Sequence, residues 1–383
     1  MANFEILAKT FHGLEEVLAK ELEELGASDI SLRKRAVAFS GDKEMLYKAN
    51  YHLRTALRIL MPIHNFQADN EEGLYKGVKS FDWNKYIDEK KSIAIDSVVS
   101  SEYFRHSKYV ALKTKDAIVD LIREKRGLRP TIDVKDPDVR INVHIYNDKI
   151  TISLDSSGDP LFKRGYRASG GEAPLNEVLA AGIVLLSGWN KKSVFIDPMC
   201  GSGTLLAEAG MYAMGIAPGS IRRGFGFEKW KDFDEQLFEN IRREALGDGT
   251  DNIEIIGSDI SRESIRMATY NIRKAGLGKT VKLKARSFED FYPPEDAGGG
   301  VVIMNPPYGE RLNTDDLIEL YSRIGDNLKE KFSGYDVWIL SSNVDAIKNI
   351  GLHASKKITL YNGALECKLL RYNMYTGSKK DKI

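Results

Sequence analysis

The chain has 383 residues, long for a single core, so two or three domains are expected. A hydrophobic content of 42% and a charged content of 29% suit a globular protein, and 56 Lys and Arg almost balance 55 Asp and Glu, so any nucleic-acid-binding surface must be local. Two cysteines exclude a disulfide scaffold, and with no cationic leader and no apolar run of bilayer length the expectation is a soluble, cytoplasmic protein without a membrane segment or a metal centre.

Residues 1–64 read as a small α/β layer. FEILAKT (4–10) is a strand, a helix follows with apolar positions at Leu14, Val17, Leu18, Leu22 and Leu25, and SLRKRAVAFSGD (31–42) reads as one strand running into a turn. Residues 65–157 form a second unit. Its strand SIAIDSVVS (92–100) leads into a basic helical stretch, RHSKYVALKTKDAIVDLIREKRG (105–127), which contains Arg105, Lys108 and Lys113. Between 101 and 135 nine Lys and Arg face five Asp and Glu, a local net of +4 (9 − 5). Alternating apolar residues at Ile141, Val143, Ile145 and again at Ile150, Ile152, Leu154 flank Asn147-Asp148 and predict a β-hairpin with one buried face. DSSGDP (155–160) reads as a linker.

From residue 161 to 376 strands and helices alternate, which implies a parallel sheet. The candidate strands are 193–198, 253–260, 281–288, 301–305 and 336–342; a hairpin around Asn362-Gly363 ends the sheet, and the tail GSKKDKI (377–383) reads as disordered. Five parallel strands capped by an antiparallel hairpin predict a Rossmann-like, seven-stranded α/β domain, an arrangement that resembles that of the class I methyltransferases.

Two strand ends carry chemistry. DPMCGSGTLLAEAG (197–210) leaves one strand and opens a helix, with Gly201 and Gly203 permitting a tight turn close to a ligand. A dinucleotide fingerprint would place glycine where Leu206 stands; instead Asp259 ends the next strand, 56 residues past Gly203 (259 − 203). An acid before the loop and another at the second strand's tip, able to hold two ribose hydroxyls, suit S-adenosylmethionine better than a nicotinamide dinucleotide. The second stretch is VVIMNPPYGER (301–311): two prolines cannot continue a ladder, so the backbone leaves the sheet at Asn305 and presents its amide at the strand's carboxyl end, beside Pro306, Pro307 and Tyr308. A planar amino group fits that corner.

DPMCGSGT followed by NPPYGER resembles the amino-group methyltransferases that carry Asp/Asn-Pro-Pro-Phe/Tyr. GYRASGGEAPLNEVLAAGIVLLSGW (165–189) and GIAPGSIRRGFGFEKW (215–230) are similar to the bacterial 23S rRNA guanine-N2 methyltransferases, and the first 157 residues resemble the ferredoxin-like and THUMP domains that bind RNA in those enzymes. The resemblance implies that Asp197, Met199, Cys200, Gly201, Ser202, Gly203 and Thr204 surround the methionine moiety. It also implies that Asp259 holds the ribose with Ile260 beside the adenine, and that Ser287 and Phe288 line the adenine's other side. Ser287 departs from the family pattern, where an Asp is usual.

Guanine N2 is a weak nucleophile because its lone pair is delocalised into the ring. Asn305 Oδ1 and the Pro306 carbonyl are expected to accept its two N–H groups while Tyr308 stacks on the base. Cys200 reads as a packing residue of the loop, and Arg222 and Arg223 as candidate phosphate contacts together with Arg105, Lys108 and Lys113. The N-terminal half would supply RNA affinity and the C-terminal half chemistry. The expected substrate is rRNA. The rivals are the same chemistry on tRNA, adenine-N6 or glutamine-N5 methylation on the same motif, and a non-catalytic RNA-binding assembly factor.

Overall fold

A computed structural model describes residues 3–87, 90–167, 175–245, 253–308 and 314–375. The 377–383 tail, residues 168–174 of the GYRASGGEAP stretch and the GER of NPPYGER lie outside those residues. The chain divides into two units. One comprises Met1–Thr10, Ala19–Leu161 and Arg222–Arg243, and the other Phe11–Leu18, Phe162–Ile221 and Glu244–Ile383.

The first unit is built on one seven-stranded sheet. Its strands and helices are β1 (Phe4–Lys9), α1 (Glu15–Glu24, which begins in the second unit), β2 (Ser28–Arg33), β3 (Ala36–Gly41), α2 (Lys43–His52), β4 (Arg58–Gln67), α3 (Glu71–Lys79), β5 (Ile93–Ser100), α4 (Ser107–Arg126), β6 (Val139–Tyr146) and β7 (Lys149–Asp155). The order across the sheet is β2-β3-β1-β4-β7-β6-β5. The stretch 31–42, read from sequence as one strand, belongs to two antiparallel strands whose Arg33 faces Ala36. The turn between them has no Gly, Pro or Asn to signal it; Arg35 itself takes the left-handed conformation at φ 55°.

Strand β4 was not expected from the sequence, because Pro62 interrupts its apolar run. Pro62 lies inside it at a register irregularity between Pro62 and His64, a place where a missing N–H is tolerated. It pairs with β1 on one side and β7 on the other, so the segments 1–64 and 65–157 share a single sheet. DSSGDP does not behave as a free linker: Asp155, Ser156 and Ser157 are buried, Arg58 pairs with Asp155, and Ser157 Oγ donates to Asn50 Oδ1 at 2.7 Å.

Residues 222–243 also belong to this unit. Phe227 stacks on Tyr47 at 4.2 Å between ring centroids, and Phe238 meets Phe227 edge-on at 5.0 Å. Phe225, Phe227 and Phe238 are all at most 5% exposed. Burial of three aromatic rings against α2 is a strong apolar drive, and it explains why this insertion leaves the fold in which its sequence lies.

The second unit carries α5 (Glu177–Leu186), β8 (Val194–Asp197), α6 (Thr204–Ala213), β9 (Ile255–Asp259), α8 (Arg262–Lys274), β10 (Val281–Ala285), β11 (Gly300–Met304), α9 (Thr314–Lys331), β12 (Asp336–Ser341), α10 (Val344–Lys348), β13 (Lys356–Asn362) and β14 (Leu365–Asn373); α7 (Glu235–Glu244) begins in the insertion. Its sheet runs β10-β9-β8-β11-β12-β14-β13, parallel except for β14, the seven-stranded arrangement with an antiparallel terminal hairpin expected from sequence. Asn362 pairs with Leu365, so the turn residues are Gly363 and Ala364, one step along from the Asn-Gly pair. The strand order reverses beside β8, and in open α/β sheets ligands sit at the carboxyl ends of the strands at such a switch point.

Candidate active site

Strand β8 ends in Asp197, 1% exposed, and delivers the chain into the loop 198–203. Burial pushes the Asp197 carboxyl well above the usual carboxylate range; the Met199 N–H, 3.3 Å from Oδ1, opposes this and the nearby Asp259 adds to it. Burial disfavours the charged form of such a group, and a cation beside it would oppose that preference.

The loop is tied down at both of its neighbours. Cys200 N donates to Ser258 O at 2.9 Å, Gly203 N to Cys200 O at 2.7 Å, and Asn271 Nδ2 on α8 to Ser202 O at 2.9 Å. Asp259, at the end of β9, accepts the Gly201 N–H on one carboxylate oxygen at 2.9 Å and the Ser261 N–H on the other at 2.8 Å. Asp259 is therefore the clip that links two strand tips, with further lone pairs on the same oxygens for hydroxyl donors.

The two glycines differ. Gly201 has φ 51° and a Cβ there would meet nothing within 4 Å, so the space in front of it is open to a ligand. Gly203 has φ 79°, and a Cβ would stand 3.1 Å from Ala268 Cβ of α8. The need for glycine at 203 comes from helix packing and backbone conformation rather than from ligand approach. Cys200 is 6% exposed, and burial followed by Asp197 and Asp259 pushes its thiol up, which removes a thiolate nucleophile.

Around the expected adenine position the residues separate. Ile260 is 77% exposed, an apolar surface with no cover of its own. Ser287 Oγ donates to Asp290 Oδ2 at 2.8 Å and accepts the Asp290 N–H at 3.1 Å. Phe288 is buried, and its ring stacks on Phe332 at 5.6 Å in the core beneath the sheet. The ring is spent on packing, which leaves only the Phe288 backbone to face a ligand.

On β11, Val302 pairs with Ile196 of β8, so Asn305 leaves the sheet abreast of the loop that starts at Asp197. Tyr308 turns back and donates its hydroxyl to Asn305 Oδ1. The amide oxygen that sequence reasoning left open for a substrate amino group is thus already bonded within the corner. Burial pushes the Tyr308 phenol up, and the adjacent Cys367 thiol and Tyr321 add to it, so it acts as a donor. The corner is held from behind: Tyr321 of α9 donates to Pro307 O at 3.3 Å, and Asn343 Nδ2 donates to Tyr308 O at 3.3 Å.

Sequence reasoning missed those supports, and it missed a second group beside the loop. Arg167 Nη2 donates to Thr204 Oγ1 at 3.0 Å and to Leu175 O at 2.8 Å, while its Nε faces Glu177 Oε1 at 3.3 Å. Arg164 and Glu208, both buried, pair at 3.5 Å, and Tyr166 donates to Glu208 Oε1 at 3.0 Å. The one signal in the residues was the charge of Glu208 inside the otherwise apolar stretch 204–213; Arg164 and Arg167 lie in a mixed, polar segment that marks neither of them.

In the first unit Arg105 and Lys108 are exposed, and Lys113 lies over the Tyr75 ring at 5.2 Å. Tyr103 and Tyr109 in the same stretch are exposed as well. Arg223 is exposed, but Arg222 donates to Pro160 O and Asp159 O, both at 2.9 Å, and stacks on Phe225. Its guanidinium anchors the 157–160 backbone. Among the described residues no helix is long and apolar enough to cross a membrane, and no group of three or more His, Cys, Asp or Glu stands together as a metal site.

Family models match at residues 5–60 (RlmL ferredoxin-like domain), 68–155 (THUMP domain) and 164–371 (RMKL-like, methyltransferase domain). The Synechocystis protein slr0064, named as an RNA methyltransferase, is 38% identical over 371 residues, covering 96% of each chain. The ribosomal RNA large subunit methyltransferase K/L of Syntrophotalea carbinolica is 40% identical over 373 residues, 94% of this chain and 52% of that protein. The chain thus spans about half the length of the curated K/L relatives it matches. A crystal structure of the methyltransferase SMU.472 complexed with SAH superposes with a TM-score of 0.87 at 33% identity, covering 99% of this chain and 100% of that one. The chain belongs to the RMKL-like family of class I S-adenosylmethionine-dependent methyltransferases with ferredoxin-like and THUMP N-terminal domains.

Proposed function

We propose that this protein methylates the exocyclic N2 of a guanine in RNA, and that the RNA is 23S rRNA in the cytoplasm. The observation that carries the reading is the Asn305 amide at the tip of β11, abreast of the loop from Asp197, with Tyr308 folded against it. The names of the ribosomal RNA methyltransferase K/L relatives support rRNA as the substrate class.

S-adenosylmethionine, when bound, supplies an electrophilic methyl group on a sulfonium. Asp197 offers a buried carboxylate to the cationic methionine end, Asp259 its lone pairs to the ribose hydroxyls, and Ile260 an apolar face to the adenine. Asn305 Oδ1 and the Pro306 carbonyl accept the two N–H groups of the guanine amine, which localises the nitrogen lone pair toward the methyl. For this Tyr308 must release Asn305, and its freed ring then stacks on the base, an interaction worth roughly 1–3 kcal/mol. The proton leaves the nitrogen after methyl transfer has made it acidic, so no strong base is needed. Arg105, Lys108, Lys113 and Arg223 contribute phosphate contacts.

Mass spectrometry of rRNA and tRNA nucleosides from a deletion strain tests the reading. Loss of N2-methylguanosine from large-subunit rRNA is the expected result. Loss from tRNA alone would transfer the activity to that substrate, and unchanged nucleosides in both would overturn the proposal. Affinity of the full chain for 23S rRNA should fall steeply with salt, as phosphate contacts require.

A further inference from the structure

We propose that Tyr321, Ser341 and Asn343 are positioning residues for methyl transfer, wired to the backbone of the NPPY corner by two lines of hydrogen bonds. The proposal rests on the reading of residues 305–308 as the acceptor corner.

The first line has a direction fixed by counting protons. Tyr321 has one hydroxyl proton and two neighbours, Pro307 O at 3.3 Å and Ser341 Oγ at 2.7 Å. A carbonyl can only accept, so the tyrosine proton goes to Pro307 O and Ser341 donates to Tyr321 Oη. Ser341 Oγ in turn accepts the Asn343 N–H at 3.2 Å. The second line leaves the same residue by its side chain: Asn343 Nδ2 donates to Tyr308 O at 3.3 Å while its Oδ1 accepts the Ala346 N–H at 2.8 Å and caps α10. Tyr321 and Ser341 are both 0% exposed, so water cannot replace the bond between them.

The placement follows from the sheet. Met304 of β11 pairs with Ile339 of β12, which puts Ser341 abreast of Pro306, where the neighbouring chain turns out of the ladder. Proline fixes φ at position 307, so pinning the Pro307 carbonyl leaves the Pro306 peptide little freedom. Pinning the Tyr308 carbonyl holds the far side of the corner. The carbonyl of Pro306 and the amide of Asn305 are therefore aimed by residues that touch neither substrate nor cofactor. A misaimed acceptor loses the transition-state interaction while leaving binding intact.

Single-turnover methylation of in vitro transcribed 23S rRNA at saturating S-adenosylmethionine tests this. Tyr321→Phe keeps the ring and removes the bond; Asn343→Asp keeps the helix cap and removes the donor to Tyr308. Each is expected to slow methyl transfer by about tenfold, the upper worth of one hydrogen bond, with cofactor affinity by calorimetry unchanged. Ser341→Ala lies on the same line as Tyr321→Phe, so the double variant should be about as slow as either single one, whereas adding Asn343→Asp should multiply the effects. Ser341→Ala also reads the first line if Tyr321→Phe does not fold. Full rates in the folded variants, or a parallel loss of cofactor affinity, would overturn the proposal. Should the wild-type protein methylate no RNA, the proposed function falls, and a crystal structure of Tyr321→Phe decides this inference: a displaced Pro307 carbonyl supports it and an unmoved corner overturns it.

Discussion

The hydroxyl of Tyr308 donates to Oδ1 of Asn305, so the corner expected to grip a base is closed on itself before the base arrives. Two tyrosine functions are thereby separable. Tyr308→Phe keeps a stacking ring and frees the Asn305 oxygen, so its single-turnover rate should match or exceed wild type. Tyr308→Ala should lose both base capture and rate. A Phe variant as slow as the Ala variant would show that the hydroxyl serves the reaction directly.

Asn305→Ala should lower the methylation rate constant by roughly 100-fold or more, by analogy with loss of one oxyanion-hole donor. Affinities for RNA and cofactor should change little, since the interaction strengthens only as the amine turns tetrahedral. Rapid-quench assays at saturating substrate give the answer, and a full-rate variant would make the corner merely structural.

Asp197 carries a pH signature. Its folded pKa lies above the unfolded value, so the stability it contributes is present below the unfolded pKa and lost as pH rises through the folded one. Asn is neutral throughout. Asp197→Asn should therefore raise the melting temperature of the ligand-free protein near neutral pH, with the difference closing toward about pH 4, the ordinary Asp range. The same variant should bind S-adenosylmethionine more weakly. Melting curves across pH, paired with calorimetry, check both halves.

The glycine loop predicts a contrast. Gly203→Ala combines a left-handed backbone, costing about 1–2 kcal/mol, with a crowded approach to Ala268, so it should lower stability. Gly201→Ala carries a similar backbone cost but meets open space, so its added defect should fall on cofactor affinity. Equal cofactor affinities in the two folded variants would mean that the space before Gly201 is not where the ligand approaches.

Removal of residues 1–159 is less clean than a division at the DSSGDP segment suggests. Phe225, Phe227 and Phe238 are buried with Tyr47 and Tyr51 in the first unit. A truncated protein should aggregate or melt early, and Ser at those three positions should restore solubility and cofactor binding. Monodisperse behaviour of the unaltered truncation by light scattering would contradict this.

The glycine loop from Asp197, the acid at 259 and the NPPY exit were all legible in the residues, because each is a local event at a strand's end: a turn that only glycine permits, a ladder that proline cannot continue, an apolar run that stops. The same holds for the order of strands and helices after residue 161. Other features had no local mark. Pro62 concealed β4 until pairing on both sides showed it, and Arg222, read as a phosphate contact, is turned inward by carbonyls at 159 and 160. Gly203 answers to Ala268 and Asn305 to Tyr308, and through Pro307 and Tyr308 the corner answers to Tyr321 and Asn343. Such bonds join residues whose neighbourhood is set by how sheets and helices pack, and a hydroxyl or guanidinium has the same letter in the sequence whichever partner packing brings to it.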